Sequence, residues 1–389
     1  MWNKKSHVHC YAQCSSYAEK VPVILTVVLT LAIAGCAPRT FQQQGQWSLT
    51  PFTRPDNPKP VISPNSSSAF LDPMSGKSIH WEANDTFNPA AAVKGDSIYV
   101  LYRAEDKSGQ GIGERTSRLG LAASSDGLTM HTRSQPVFFP ANDSQKAYEW
   151  TGGCEDPRVA MADDGTYVML YTQWNKKVPR LAVATSKDLV NWEKHGSVFR
   201  KAHQGKFFDI PSKSASIVTS LKNGRQLITK VNGRYLMYWG EHMINVATSE
   251  DLINWTPELN TNGGLLASVS PREGYFDSQL TECGPPAVLT KDGIVLLYNG
   301  KNRSGAKGDT NYTANTYAAG QILFDKNDPK KVLQRLDKPF FVPQEAFEKS
   351  GQYPAGTVFV EGLVYFKNKW FLYYGCADSR VGVAIYHPK

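Results

Sequence analysis

Short apolar runs, each led by a turn pair and closed by an aromatic, recur along the body of the chain. They read Lys94-Gly95-Asp96-Ser97-Ile98-Tyr99-Val100-Leu101-Tyr102, Asp164-Gly165-Thr166-Tyr167-Val168-Met169-Leu170-Tyr171, Asn232-Gly233-Arg234-Tyr235-Leu236-Met237-Tyr238, Asp292-Gly293-Ile294-Val295-Leu296-Leu297-Tyr298 and Asn368-Lys369-Trp370-Phe371-Leu372-Tyr373-Tyr374. Asp-Gly and Asn-Gly pairs predict hairpins, because Gly and Asn tolerate the positive φ of tight turns. Runs of this length, rich in β-branched and aromatic residues, predict inner strands covered on both faces. Second strands follow at 119–124, 181–186 and 244–249. Two of them continue into Asp188-Leu189-Val190-Asn191-Trp192 and Asp251-Leu252-Ile253-Asn254-Trp255. Small residues in these strands predict close approach of neighbouring sheets, with each terminal Trp packed between them.

The anchors Tyr102, Tyr171, Tyr238, Tyr298 and Tyr374 recur at comparable intervals along the chain. Each interval has room for about four short strands, the content of a propeller blade. The fold expected is therefore all-β, a five-bladed β-propeller over 66–389. A row of β-sandwich domains would need linkers, and none is visible. Tyr374 lies close to the C-terminal Lys389, which leaves the last blade short. A strand within 45–65 is expected to complete it and close the ring.

The N-terminus reads differently. Lys4, Lys5 and Lys20 precede an apolar run at 21–35 that is short for a bilayer span and ends in Ile33-Ala34-Gly35-Cys36. This has the form of a lipoprotein signal peptide over 1–35, with Cys36 lipidated. The Pro-rich segment 36–65 then serves as a tether. The expectation is an exported protein, held at the cell envelope by its N-terminal lipid alone.

Composition narrows the classes of function. With 41% hydrophobic and 20% charged residues among 389, disorder, coiled coil and collagen are excluded. Aromatics at 11% suit a sugar cleft. Net charge is +8, of which 1–35 carry +2, and the basic residues are interleaved with acids. A nucleic-acid partner would call for a basic stripe or a known module, and neither is present. After residue 35 no CxxC or Cys/His cluster suggests zinc, and no oxygen-rich loop suggests calcium. Metal and cofactor are therefore expected to be none. Cys154, Cys283 and Cys376 are expected to be buried free thiols.

Candidate chemistry sits just ahead of the inner strands. Phe87-Asn88-Pro89-Ala90, Gly153-Cys154-Glu155-Asp156-Pro157-Arg158 and Thr281-Glu282-Cys283-Gly284 hold equivalent places in their repeats. Equivalent places face one axis, so Asn88, Asp156 and Glu282 are expected to meet. Together with Tyr102-Arg103-Ala104, Ser117-Arg118-Leu119-Gly120 and Tyr373-Tyr374-Gly375-Cys376-Ala377-Asp378, these motifs resemble glycoside hydrolase family 130 over about 70–389. The resemblance implies a propeller acting on β-mannosides, with Asp156 as the acid acting through a hydroxyl of the bound mannose. It implies Asn88, Arg103, Arg118, Arg158, Tyr374 and Asp378 as substrate-binding residues. For Arg158 a structural ion pair with Glu155 or Asp156 stands equally open.

Most members with this resemblance are phosphorylases, which need a cationic cradle for phosphate. Here the third repeat instead ends Tyr238-Trp239-Gly240-Glu241-His242, and the fourth supplies Glu282. This resembles the exported β-1,2-mannosidase branch, in which a glutamate pair handles water. Glu241 and Glu282 take that role, one as base and the other positioning water. A phosphorylase, with His242 and Lys213 as phosphate ligands, and a non-catalytic glycan-binding lipoprotein are the alternatives. Trp150, Trp174, Trp239, Tyr275 and Tyr312 are candidates for stacking on sugar.

Overall fold

A computed structural model describes residues 47–388. Helix among them is confined to one turn at Lys146–Glu149 and 3-10 turns at Ala202–Gly205 and Ala346–Glu348. Everything else of regular form is strand, in successive antiparallel meanders. The first comprises Asp85–Lys94, Ser97–Glu105, Ser117–Ser124 and His131–Thr132. The second comprises Gly153–Met161, Tyr167–Trp174, Pro179–Ser186 and Glu193–Ser197. The third comprises Ala215–Lys222, Arg234–Trp239, Ile244–Ser249 and Trp255–Pro257. In the fourth, Leu280–Cys283 and Ala287–Leu289 both pair with Ile294–Lys301, followed by Tyr317–Phe324 and Val332–Arg335. The last comprises Val358–Phe366, Lys369–Cys376 and Arg380–Tyr386. Its outer edge receives Thr53 and Ile62, which form antiparallel bridges with Ile385 and Val381.

The repeated tyrosines explain why each meander stays shut. Tyr102, Tyr171, Tyr238, Tyr298 and Tyr374 are all buried. A buried phenol needs a partner for its hydroxyl. Four of them donate to a buried carboxylate: Tyr102 to Glu82 at 2.7 Å, Tyr171 to Glu149 at 2.8 Å, Tyr298 to Asp277 at 2.5 Å and Tyr374 to Glu348 at 2.8 Å. Tyr238 donates instead to the carbonyl of Pro329 at 2.9 Å. Gly120, Gly320 and Gly382 lie against three of these rings, where a Cβ would come within 2.5 Å of ring carbon.

This geometry corrects the role expected of Tyr374. It is a core anchor of the last meander rather than a sugar ligand, and Glu348 beneath it is also held by Arg54 at 2.7 Å. Tyr374→Phe therefore removes one partner of a buried carboxylate and is expected to cost about 1–3 kcal/mol. Urea unfolding would read this as a lower midpoint, with KM for substrate unchanged.

The twin turns also have a shared cause. Asp188 accepts from the backbone N–H of Val190 at 2.8 Å and Asn191 at 2.7 Å, and Asp251 likewise from Ile253 at 2.9 Å and Asn254 at 2.7 Å. Trp192 and Trp255 each donate to a carbonyl three residues back, at 3.1 Å. Trp192 meets Phe138 of the first meander edge-on at 6.3 Å, so it packs between meanders.

First strands of successive meanders lie side by side. Val218 pairs in parallel with Ala287, and Asn299 exchanges two hydrogen bonds with the backbone of Val360 at 2.8 and 3.1 Å. Gly362 lies against the Pro89 carbonyl with no room for a side chain. Cys154, Cys283 and Cys376 are buried free thiols. Cys36 and the whole 1–35 segment lie outside the described residues.

Candidate active site

The first strands are distorted where the chemistry sits. Their register slips between Phe87 and Pro89, and between Glu155 and Arg158. Asn88 and Asp156, each followed by proline, take positive φ of 45° and 48°, as do Ser214 at 54° and Asp378 at 50°. Bulges of this kind re-aim a side chain, and non-glycine residues in this region cost energy that surrounding structure must offset. The offset here is polar. Asn88 Nδ2 donates to Asp156 Oδ1 at 2.9 Å, and Arg103 Nη1 donates to the same oxygen at 3.0 Å. Arg103 Nη2 reaches Glu105 at 2.7 Å and Glu155 at 2.8 Å.

Lys213 occupies the centre. Its Nζ lies 3.7 Å from Asp156 Oδ2, 3.8 Å from Glu241 Oε1 and 3.4 Å from Glu282 Oε1. The Asp156 and Glu241 oxygens can therefore be no farther apart than those two legs laid end to end. Glu282 is buried and accepts from Ser214 Oγ at 2.5 Å. Glu241 keeps 33% of its side chain exposed, so water reaches it directly. Asp156, Glu241 and Glu282 thus converge on one ammonium group.

Burial and charge divide the protons unequally. Burial alone would raise Asp156, but Arg103, Lys213, Arg158 and the Asn88 hydrogen bond outweigh it and hold this carboxyl well below the usual range. Burial pushes Glu155 up to about 7 against the pull of Arg103, and does the same to Asp378. Burial also raises Glu282, with Lys213 opposing and Glu241 reinforcing. The same four carboxylates, Glu282, Glu241, Asp156 and Glu155, overcome the burial of Lys213 and keep its ammonium charged to well above the ordinary lysine value. Carboxyl groups outnumber cations in the hollow.

Other expected ligands land differently. Arg118 is buried and committed to Asp106 at 2.8 Å and Asp72 at 3.1 Å. It pins a loop rather than presenting a free fork to sugar. Arg158 is also buried. It pairs with Glu361 at 2.9 Å, neither with Glu155 nor with the Asp156 carboxylate, and donates to the carbonyls of Asp156, Cys283 and Gly284 at 3.0, 2.9 and 3.3 Å. Its role is beneath the site, not in contact with a sugar. Trp239 is core, packed on Phe199 at 4.6 Å. Asp378 is half-buried beside Arg103 and Asp156. His242 is exposed, and its carbonyl accepts from Thr281 Oγ1 at 3.0 Å.

Two contributors escaped the sequence. Ser214 carries no signal ahead of its strand. Glu361 does, as one acid in the apolar run Val358-Phe359-Val360-Glu361-Gly362-Leu363. Among the described residues no cluster of His, Cys, Asp and Glu is arranged to hold a metal. A cavity of about 300 Å³ opens at the other end of the same strands, beside Ala92, Met161, Arg225 and Leu363. No acid or histidine lines it, so volume alone does not mark the reacting centre.

Three carboxylates converging on one lysine on an all-β frame are the kind of acid–base site that a carbohydrate-active enzyme uses. Residues 68–388 match the model of glycoside hydrolase family 130, described as beta-1,4-mannooligosaccharide phosphorylase, and the chain belongs to that family. It is 31% identical to a 1,2-beta-oligomannan phosphorylase of Thermoanaerobacter sp. (strain X514), over 85% of this chain and 96% of that one. It is 62% identical to a putative glycosidase of known structure from Bacteroides thetaiotaomicron VPI-5482, with a TM-score of 0.88 over 88% of this chain and 99% of the other. A further solved structure, 60% identical with a TM-score of 0.87 over 88% and 96% of the two chains, comes from work describing glycoside hydrolases of the GH130 family "that target beta-1,2 mannosidic linkages in Candida mannan".

Proposed function

We propose that this protein is an inverting, exo-acting glycoside hydrolase that releases mannose from β-1,2-linked manno-oligosaccharides, on a propeller whose five blades are the meanders described above. Asp156 is the acid, and the Glu241/Glu282 pair activates water. Inversion needs a water between acid and base, with carboxyls roughly 6.5–9.5 Å apart. The legs of 3.7 and 3.8 Å through Lys213 Nζ bound the separation from above, and that bound permits the inverting spacing.

The observation that carries hydrolysis over phosphorolysis is Lys213 among three carboxylates. Its charge is already answered. A phosphate dianion placed there would face Glu241 and Glu282, and two unit charges about 4 Å apart at a protein surface repel by roughly 4 kcal/mol. Likeness to the Thermoanaerobacter phosphorylase favours the second reading, transfer of mannose to phosphate. Incubating the purified domain with β-1,2-mannobiose, with and without phosphate, decides. Free mannose at equal rates is expected. Mannose 1-phosphate, formed only when phosphate is present, would overturn the reading.

Asp156 has to gain a proton before it can give one. Burial is the largest single influence on it, though the neighbouring cations outweigh it, so a sugar that expels the remaining water moves it back upward. Glu155 and Asp378, titrating at about 7, are the proton source within the same cluster.

The enzyme is proposed to work outside the cytoplasm, anchored through Cys36. Cys36→Ala is expected to move it from the membrane to the soluble fraction on cell fractionation. An unchanged distribution would remove the lipid from the account.

A further inference from the structure

The pair buried under the hollow has no place in the steps above. Glu361 is completely buried, and both of its carboxylate oxygens lack a hydrogen-bond donor among the described residues. Its one close partner is the guanidinium of Arg158 at 2.9 Å, an ion pair without hydrogen-bond geometry. Arg158 in turn spends its N–H groups on backbone. It holds the carbonyl of Asp156 in the second meander and those of Cys283 and Gly284 in the fourth. Cys283 directly follows Glu282, and Glu361 belongs to the last meander. One planar fork therefore ties the backbone beneath the proposed acid to the backbone beside one of the proposed water-handling groups, with its counter-ion supplied from a third sheet.

A buried carboxylate without hydrogen bonds is costly unless a counter-ion compensates it, and the compensation here is the Arg158 guanidinium. Burial pushes Glu361 well above the ordinary carboxylate value, with Arg158 the first influence against it, so the charge that centres Arg158 is held only through this 2.9 Å ion pair. With a neutral residue at 361 the guanidinium keeps its backbone carbonyls but loses the counter-charge on that side, and is drawn toward the Asp156 carboxylate, which already draws on Arg103 and Lys213. We propose that Glu361 is a positioning residue: through Arg158 it fixes the separation and aim of Asp156 and Glu282. The inference rests on the reading of those two groups as reacting groups, but its geometry is testable apart from it.

Glu361→Gln keeps the shape and removes the charge. With β-1,2-mannobiose, kcat is expected to fall about 10- to 100-fold, the scale of a misplacement of about 1 Å, while KM stays within about twofold. Arg158→Lys keeps a charge but loses the fork, and is expected to show the same split. It also serves if Glu361→Gln does not fold. Full kcat in a folded variant, or an effect limited to thermal stability or to KM, would overturn the proposal. Crystal structures of the variants give a readout that needs no turnover. The Asp156 and Glu282 carboxylates should separate or rotate relative to the unaltered protein, and their staying in place would refute the brace. An unaltered protein without activity on any mannoside would instead defeat the proposed function, leaving the crystal structures to judge the brace.

Discussion

Asp156→Asn is expected to lower kcat on β-1,2-mannobiose by about 10³-fold, within the range for loss of a general acid, while KM changes little. The amide still accepts from Asn88 and Arg103 through its oxygen, so the hollow keeps its shape and loses only the transferable proton. An aryl β-mannoside with a good leaving group needs less protonation and should recover much of the loss. Equal defects on both substrates would show that Asp156 holds the sugar instead of protonating it. The pH dependence carries the same logic. As pH rises through about 7, Glu155 and Asp378 ionise, and the cluster gives up the proton Asp156 requires. The unaltered enzyme should therefore lose kcat/KM over that span, and Glu155→Gln should move the limb. A limb that stays put in a folded Glu155→Gln variant would place the proton source elsewhere.

Glu241→Gln and Glu282→Gln should each cost about 10²- to 10⁴-fold in kcat. The double variant should be little worse than the poorer single one, because groups that act on one water do not contribute additively. Glu282→Gln carries an extra signature. Lys213 loses one of its three carboxylates, so the hollow becomes less hostile to anions, and weak inhibition by phosphate should strengthen. Independent, multiplying losses would mean that the two glutamates serve separate steps. Unchanged phosphate inhibition would mean that the pocket's charge is not what excludes the anion.

The repeat was legible because each meander reuses one solution to one problem. A turn pair, an apolar run and a closing tyrosine can be read in order along the chain, and the structure returns each as a strand at the predicted place. The partners of those tyrosines were not legible. Glu82, Glu149, Asp277 and Glu348 precede their tyrosines by 20, 22, 21 and 26 residues, in the connections between strands, but other acids share those connections and only the closed fold shows which of them answer the hydroxyl. Tyr374 was misread for this reason. Its motif sits beside Asp378, but its ring points into the core, where sequence adjacency says nothing about direction. The arginines show the same gap. Arg103, Arg118 and Arg158 look alike as fork-shaped donors near candidate acids. Their fates depend on which carboxylate each meets, and Asp72 and Glu361 come from distant segments.

Local chemistry fixed what a single segment can decide for itself: strand and turn, the spacing of the repeat, and which positions bear acids at the head of an inner strand. Those follow from side-chain alternation and backbone preference over a few residues. Which charges neutralise one another was decided only by folding, since Coulomb energy depends on distances between side chains that lie far apart along the chain. Lys213 is the case in point. From the sequence it stood only as a phosphate ligand of the phosphorylase alternative. The structure surrounds it with Asp156, Glu241 and Glu282, and that placement is what turns the reading toward water.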